Sequence, residues 1–261
     1  VMEPGGVALV SSPTYSFYRI SVEILGGEIR EVERKPDFSD DFESLIKEAE
    51  NPEVRIIFLC SPNNPTGNLV SREEAVRLLE KVDCAVVVDE AYAEFSGCSL
   101  VDLTDKYENL MVVRTFSKAF AMAGVRIGYI VANPKTVELL NKVRPPNSVS
   151  VISLALAKLA LEYREEILGK IREITVERDR VYLELGKLPH LKVYPSHANF
   201  LLVRLEELDA GKVYEELLRR GMVVRRLAGP MLEGCLRITV LDRESNDRLI
   251  SALKEVLGGN G

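Results

Sequence analysis

The sequence has no run of about twenty apolar residues, which is roughly the length that a membrane-spanning helix needs. It also has no excess of basic residues, since 34 lysines and arginines stand against 40 acidic residues and give a net charge of −6. Proteins that bind the phosphate backbone of nucleic acids depend on clustered positive charge. The composition therefore argues against both a membrane and a nucleic acid as partners.

Cysteine and histidine are scarce. The four cysteines contain no CxxC pair, and three of them lie in apolar, strand-like contexts; they are Cys60, Cys84, Cys98 and Cys235. This usage is typical of reduced, buried thiols in a cytoplasmic protein rather than of a disulfide framework or a zinc site. His190 and His197 are seven residues apart, so they do not suggest a metal-binding pair either.

The first six residues have neither the charged region nor the apolar core of a signal peptide. They lead almost at once into a strand-like pattern at 7–10. We therefore expect that sequence upstream of Val1 is missing from this chain.

The first half of the sequence alternates short β-branched runs with helical patterns. Strands are predicted over 7–10, 28–33, 54–60, 85–89, 110–115 and 125–131, and helices over 15–25, 45–50 and 72–81. Apolar strands separated by helices predict an α/β fold with a mostly parallel central sheet flanked by helices.

Two prolines at 145 and 146 interrupt this pattern. One very long helix is predicted over 151–185, with Gly169 as a possible kink. Shorter strands over 192–194, 200–203, 223–225 and 236–240 follow, with helices over 212–220 and 244–257. We expect two domains: a large α/β domain over 1–146 and a small α+β domain over 147–261.

Three predicted strands end in dense polar motifs, where the ligands of parallel sheets commonly bind. The strand over 54–60 runs into Ser61-Pro62-Asn63-Asn64-Pro65-Thr66-Gly67. Two prolines and a glycine make this loop rigid, which can hold the Asn64 amide in one place. The alternative is a purely structural turn.

The strand over 85–89 ends in Asp89, followed three residues later by Tyr92. A carboxylate at the end of a buried strand can be a helix cap, or it can pair with a cation such as a protonated ring nitrogen. Tyr92 can direct a hydroxyl toward the same space.

The strand over 110–115 is followed by Lys118 between apolar residues. We expect this lysine to be desolvated and close to another cation, since both effects favour the neutral, nucleophilic amine. Thr115 and Ser117 offer hydroxyls, and Arg126 offers a planar fork that suits phosphate. The alternative is a solvated lysine at a helix start.

Together these residues supply an amine nucleophile, a phosphate cradle, an anion for a ring nitrogen and donors for a ring oxygen. That set matches the requirements of pyridoxal 5'-phosphate (PLP), held as a Schiff base on Lys118.

Six motifs also occur in the order found in the PLP-dependent aminotransferases of fold type I. Over residues 10–240 the sequence resembles this family, and most closely the histidinol-phosphate aminotransferases. The motifs are Ser12-Pro13-Thr14-Tyr15, CSPNNPTG at 60–67, Asp89-Glu90-Ala91-Tyr92, TFSKAFAMAGVRIG at 115–128, Ser196-His197-Ala198-Asn199-Phe200 and Cys235-Leu236-Arg237-Ile238-Thr239-Val240.

The resemblance implies a role for each matching residue. Lys118 would carry the cofactor and then move the proton between substrate and cofactor, while Asp89 would pair with the ring nitrogen. The remaining cofactor ligands would be Asn64 and Tyr92 at the ring oxygen, Tyr15 stacked on the ring, and Thr115, Ser117 and Arg126 at the phosphate. Arg237 would bind the acidic group of the substrate, with Asn64 and Arg225 as further substrate-site residues.

In the implied reaction, L-histidinol phosphate passes its amino group to 2-oxoglutarate, which gives imidazole-acetol phosphate and L-glutamate. The resemblance also implies a homodimer. Threonine-phosphate decarboxylases and the aromatic or aspartate aminotransferases share most of these motifs and are alternatives. A non-catalytic α/β binding protein is an alternative of a different class. A nucleotide-binding fold is disfavoured because no GxGxxG or GxxxxGK follows a strand.

Overall fold

The computed structural model describes residues 2–258 and contains two sheets. The first has six strands in the order β2-β1-β3-β4-β5-β6. Their bounds are β1 Val7–Ser12, β2 Glu28–Glu33, β3 Val54–Cys60, β4 Ala85–Asp89, β5 Leu110–Thr115 and β6 Gly128–Ala132. All neighbours pair in parallel except β6, which runs antiparallel to β5. The predicted α/β fold with a mostly parallel sheet is confirmed.

Helices separate the parallel strands and bury one apolar side each. They are α1 Phe17–Ile24, α2 Phe42–Ala49, α3 Arg72–Leu79 and the short α4 Ala93–Ser96. Asp41 and Ser71 cap α2 and α3 by accepting hydrogen bonds from backbone N–H groups three residues on, which satisfies donors that a helix start leaves unpaired. Leu45 and Leu78 on these helices pack into one core with Leu9 and Ile57 of the sheet.

The strand predicted over 125–131 begins three residues later than predicted, at Gly128. Ala123–Val125 forms a 3-10 turn, and Arg126 has a φ of 56°, so extended backbone begins only at Gly128. Helix α5, Pro134–Val143, was not predicted, although Asn133 caps it and Pro134 occupies its first turn, both of which are known helix-start signals.

The single long helix predicted over 151–185 is wrong. The segment forms two helices, α6 Val151–Glu162 and α7 Arg164–Leu185, and the break falls at Tyr163 rather than at Gly169. Glu165 and Glu166 lie in the first turn of α7, where the helix dipole favours negative charge. Gly169 lies inside the continuous helix α7.

The second sheet is antiparallel, with strand order β7-β8-β10-β9. Its strands are β7 Leu191–Val193, β8 Phe200–Leu205, β9 Arg225–Arg226 and β10 Cys235–Thr239, and it packs with α8 Ala210–Arg219 and α9 Arg243–Gly258. The boundary expected near residue 147 falls between α5 and α6, and the division into two domains stays a prediction. Val1 and residues 259–261 lie outside the described part.

Helix α7 connects the two sheets. Ile171 of α7 packs in one apolar cluster with Tyr92 and Phe95 beside the first sheet and with Phe200 of the second. This cluster brings the carboxyl ends of the central parallel strands close to the second sheet. Within residues 2–258, no helix is both long and apolar enough to cross a bilayer.

Candidate active site

The polar motifs after β3, β4 and β5 meet at one edge of the first sheet. The strand ends are in register, because Cys60 pairs with Asp89 and Asp89 pairs with Val113. The predicted meeting of these three motifs follows from this register, since parallel strands present their carboxyl ends on the same side.

Asp89 ends β4 with both carboxylate oxygens engaged. Oδ2 accepts a hydrogen bond of 2.7 Å from the hydroxyl of Tyr18, and Oδ1 accepts one of 3.0 Å from the backbone N–H of Ala91. Burial raises the pKa of Asp89, while these two hydrogen bonds and the positive charge of Lys118 lower it in part. Such a carboxylate is well placed to pair with a further cation.

Lys118 follows β5 on the open side of the site. Its Nζ lies 5.3 Å from the centroid of the Tyr92 ring, within the range of a cation–π contact. The expected desolvation is wrong, because the residue is exposed. Phe116 takes the buried position and packs against Phe120 with ring centroids 4.8 Å apart, while Lys118 reaches the Tyr92 ring and stays open to solvent. An accessible amine can still be reached by a carbonyl compound.

Tyr92 is buried and lies edge-on to Phe200, with ring centroids 5.2 Å apart. Burial raises the pKa of its hydroxyl to about 12, although the charge of Arg237 opposes that shift. The hydroxyl therefore stays protonated at neutral pH and can act as a hydrogen-bond donor.

Arg237, on β10, links the second sheet to the loop after β3. Its Nη1 donates a 2.6 Å hydrogen bond to Oδ1 of Asn64, and its guanidinium carbon lies 5.1 Å from the centroid of the Phe200 ring. Its Nε is buried and has no hydrogen-bond partner among the described residues. This arginine therefore has a donor available for an anion at the site.

The predicted phosphate-binding residues lie where β5 ends and β6 begins. The hydroxyl of Thr115 donates to the carbonyl of Ile127 over 3.3 Å and accepts from the N–H of Ser117 over 3.1 Å. Arg126 is exposed, and its Nη1 donates to the carbonyl of Ala123 over 3.0 Å. No hydrogen bond joins this guanidinium to either hydroxyl in the described chain, so their common role stays a prediction.

Tyr15 and Arg225 lie at the rim of the site. The exposed ring of Tyr15 meets the ring of Tyr18 edge-on with centroids 5.6 Å apart, and Tyr18 in turn contacts Asp89. Arg225 is exposed and pairs directly with Arg237 across the antiparallel strands β9 and β10. Residues paired in this way project from the same face of a sheet.

Sequence reasoning missed two residues at this site, Tyr18 and Asn63. The only signal for Tyr18 was its spacing of three from Tyr15 on a predicted helix. Asn63 is fully buried, donates to the carbonyl of Pro13 and to Oγ1 of Thr66, and accepts from Oγ1 of Thr14. It thereby fixes the loop that carries Tyr15 against the loop that carries Asn64.

The side chains at this edge fit PLP by their chemistry. A reachable amine, a partly buried carboxylate, a protonated phenol and an arginine with an unpartnered buried donor are the groups that an aldehyde, a pyridinium and acidic substituents require.

Comparison with known proteins agrees with this geometry. The model of the family "Aminotransferase class I and II" matches residues 1–253. The histidinol-phosphate aminotransferase of Thermoanaerobacter sp. (strain X514) is 43% identical over 257 residues, which cover 97% of this chain and 72% of that protein.

Two solved structures share the fold. That of histidinol-phosphate aminotransferase from Sinorhizobium meliloti, in complex with pyridoxal-5'-phosphate, is 27% identical with a TM-score of 0.90, covering 100% of this chain and 73% of that one. That of L-threonine-O-3-phosphate decarboxylase from Porphyromonas gingivalis is 27% identical with a TM-score of 0.85, covering 98% of this chain and 78% of that one. The chain therefore belongs to the class I and II aminotransferases, a family of PLP-dependent enzymes of fold type I.

Proposed function

We propose that this PLP-dependent aminotransferase exchanges the amino group of L-histidinol phosphate with 2-oxoglutarate, forming imidazole-acetol phosphate and glutamate. The observation that carries the proposal is the identity of 43% to a histidinol-phosphate aminotransferase along 97% of the chain. The site supports it, since Arg225 and Arg237 project from one face of the second sheet and a phosphate ester suits paired guanidinium groups.

In this proposal the residues of the first sheet bind the cofactor. Lys118 would hold the cofactor covalently through Nζ and would move a proton at the substrate's Cα. Asp89 keeps the ring nitrogen protonated, and the bound cofactor then supplies a sink for the electron pair released at Cα. The other assigned contacts are Tyr15 against the ring face, Asn64 and Tyr92 at the ring oxygen, and Thr115, Ser117 and Arg126 at the phosphate.

The second sheet supplies the substrate side. Arg237 binds the acidic group of either substrate, and it exchanges its contact with Asn64 for that group when the substrate enters. Arg225 adds a second positive charge for phosphorylated substrates. Glutamate, which carries a carboxylate but no phosphate, would then depend mainly on Arg237.

A homodimer is part of the proposal. Helix α6 carries apolar side chains on several sides, and Val151, Ile152 and Leu154 are 82%, 73% and 53% exposed. An apolar patch of this kind is typical of a protein interface. Light scattering after size-exclusion chromatography checks this point: wild type should elute as a dimer and Ile152→Lys as a monomer.

The activity test combines a spectrum with product analysis. Wild type loaded with PLP should show a visible absorption band that bleaches with glutamate, and subsequent addition of imidazole-acetol phosphate should restore the band and yield histidinol phosphate. Lys118→Ala should lack the covalently bound cofactor, while Lys81→Ala, which changes an exposed lysine outside the site, should behave as wild type. The test runs the exchange in reverse, so a band that glutamate leaves unchanged would contradict glutamate as one of the two amino compounds of the reaction.

The likeness to L-threonine-O-3-phosphate decarboxylase supports a second candidate reaction. That enzyme's named substrate also carries an amino group and a phosphate ester, so the same arginine pair could bind it. Release of carbon dioxide from threonine phosphate at a rate above that of amino transfer to a keto acid would displace the first proposal.

A further inference from the structure

A tyrosine on helix α1 contacts the carboxylate that we assign to the cofactor's ring nitrogen. Tyr18 is buried, its ring stacks on Phe58 of β3 with centroids 5.0 Å apart, and Tyr15 meets it edge-on. These two contacts fix the plane of its ring. The hydroxyl of Tyr18 lies 2.7 Å from Oδ2 of Asp89, at the end of β4.

The direction of this hydrogen bond follows from the charges around it. Burial, with the nearby Cys60 and Asp89, raises the pKa of Tyr18 well above its ordinary value, so the phenol keeps its proton. It must therefore donate, and the carboxylate must accept. Together with the N–H of Ala91 on Oδ1, this bond fixes the rotation of the carboxylate and leaves one acceptor site on each oxygen.

We propose that Tyr18 is a positioning residue, whose hydroxyl keeps Asp89 ionised and oriented toward the ring nitrogen of the cofactor. The proposal rests on the assignment of Asp89 in the proposed function. Tyr18 itself acts only through Asp89.

Among residues 2–258, four titratable groups face the Asp89 carboxylate from the surrounding elements, and one of the four donates a side-chain hydrogen bond to it. They are Tyr18 on α1, Cys60 at the end of β3, Tyr92 after β4 and Lys118 after β5. Burial holds the pKa of both Cys60 and Tyr92 near 12, so both are neutral at working pH. The ionisation of Asp89 in the free protein therefore depends on Tyr18, on Ala91 and on the charge of Lys118.

Removal of the Tyr18 hydroxyl should raise the pKa of Asp89. A carboxylate that accepts two or three hydrogen bonds has a pKa lowered by about two units, so one bond accounts for roughly one unit. Because the protonated acid cannot pair with a cationic ring without releasing its proton, PLP affinity falls as the pH drops through this pKa. The acid limb of PLP binding should therefore move upward by about one pH unit in Tyr18→Phe.

The first test measures PLP affinity by visible absorption from about pH 4, close to the ordinary pKa of an aspartate, up to about pH 8. Tyr18→Phe keeps the ring and its stacking on Phe58, and it should bind PLP roughly tenfold more weakly at the acid end and as wild type at the alkaline end. Tyr194→Phe is the matched control, since Tyr194 is equally buried, packs on Phe38 at 4.9 Å and lies in the second sheet region. It should leave the whole profile unchanged.

Asp89→Asn distinguishes a wrong assignment of Asp89 from a wrong role of Tyr18. If this variant binds PLP as wild type at every pH, the assignment of Asp89 fails and the proposed site fails with it. If Asp89→Asn weakens binding but Tyr18→Phe has the profile of wild type, only the role of Tyr18 is wrong. In the Asp89→Asn background, Tyr18→Phe should cause no further pH shift, because the two residues act as one unit.

A second measurement does not depend on the folding of Tyr18→Phe. Tyrosine labelled with carbon-13 at Cζ gives one NMR signal for each phenol. In the proposal, the signal of Tyr18 moves on Asp89→Asn and also moves when wild type binds PLP, in addition to the signals of Tyr15 and Tyr92, which contact the cofactor directly. A set of tyrosine signals that is unchanged by both would overturn the role of Tyr18.

Discussion

The guanidinium of Arg237 and the amide of Asn64 are joined by a 2.6 Å hydrogen bond although 173 residues separate them in the sequence. Asn64 lies in the loop after β3 and Arg237 lies on β10, so this bond spans the gap between the two sheets. It places the residue assigned to the substrate's acidic group directly beside a residue assigned to the cofactor.

Replacement of Arg237 should therefore affect the substrate more than the cofactor. We expect Arg237→Ala to lower kcat/KM for histidinol phosphate roughly 100-fold, since the loss of a hydrogen-bonded charge partner costs about 3 kcal/mol. PLP affinity, measured by absorption, should change little. Arg225→Ala, at the exposed rim, should reduce kcat/KM for histidinol phosphate less and leave that for glutamate unchanged. An equal loss for both substrates in Arg225→Ala would contradict its assignment to the phosphate.

The loop after β3 is packed tightly against the segment before β8. Gly67 has a φ of +81°, and a Cβ built there would lie 2.3 Å from Oγ of Ser196. The N–H of His197 also donates to the carbonyl of Gly67 over 2.8 Å. The loop that carries Asn64 therefore has no space for a side chain at this position.

Gly67→Ala should lower the free energy of unfolding by about 2–3 kcal/mol, because it combines a steric clash with an unfavourable φ. Gly97→Ala is the matched control: Gly97 has a φ of +68°, and no atom of residues 2–258 lies within 4 Å of the added Cβ, so the expected cost is the backbone cost of about 1 kcal/mol. Urea unfolding measures both. Adding Ser196→Gly should recover part of the loss in Gly67→Ala, and equal losses in Gly67→Ala and Gly97→Ala would argue against the clash.

The carboxylate of Glu90, the residue after Asp89, stabilises the same end of β4. Glu90 is buried and accepts hydrogen bonds from the side chains of Ser99 and Arg114 and from the N–H of Leu100. Arg114 also pairs with Glu94 at 3.3 Å. This group ties the ends of β4 and β5 to the segment after α4.

Arg114→Met should destabilise the protein by about 3 kcal/mol, because it leaves the Glu90 carboxylate buried without its partner. Differential scanning calorimetry should show a clearly lower Tm. Arg72→Met, which removes the exposed pair with Asp102, should show no measurable change. Adding Glu90→Gln to Arg114→Met should raise the Tm again, and a further fall would show that the charge of Glu90 is not the cause.

Much of the fold could be predicted because the residue types of the central strands are typical of buried β-strands. Val54–Cys60, Ala85–Asp89 and Leu110–Thr115 are short β-branched runs, and their predicted bounds match the structure. Their order along the chain then placed Asn64, Asp89 and Lys118 at one sheet edge. Hydrophobic pattern is strong evidence in such strands because both faces are buried.

The rest depended on tertiary packing. The bond from Tyr18 to Asp89 spans 71 residues and depends on how α1 lies over the sheet, which periodicity does not determine. The exposure of Lys118 goes with the burial of Phe116, and the sequence alone could not reveal which of these two side chains is buried. The break at Tyr163 carried no glycine or proline to signal it.

The four cysteines differ in environment, and this yields a prediction about their reactivity. Burial raises the pKa of Cys60 to about 12 and that of Cys84 to about 11, whereas Cys98 is exposed. The thiolate is the reactive form, so a thiol must be both accessible and ionised to react. Cys60 and Cys235 are buried and should be protected in the folded protein.

Titration with Ellman's reagent at about pH 8, just below the ordinary pKa of a cysteine thiol, should therefore show one fast thiol, with Cys60 and Cys235 reacting only after denaturant is added. Cys98→Ser should remove the fast phase, while Cys60→Ala should leave it intact. Because the pKa of Cys60 is higher in the folded than in the unfolded chain, its contribution to stability is complete below an unfolded value of about 9 and is lost as the pH rises toward 12. The fall in Tm between pH 9 and pH 11, a window inside that range, should thus be smaller in Cys60→Ala than in wild type; an equal fall would show that Cys60 does not ionise on unfolding there.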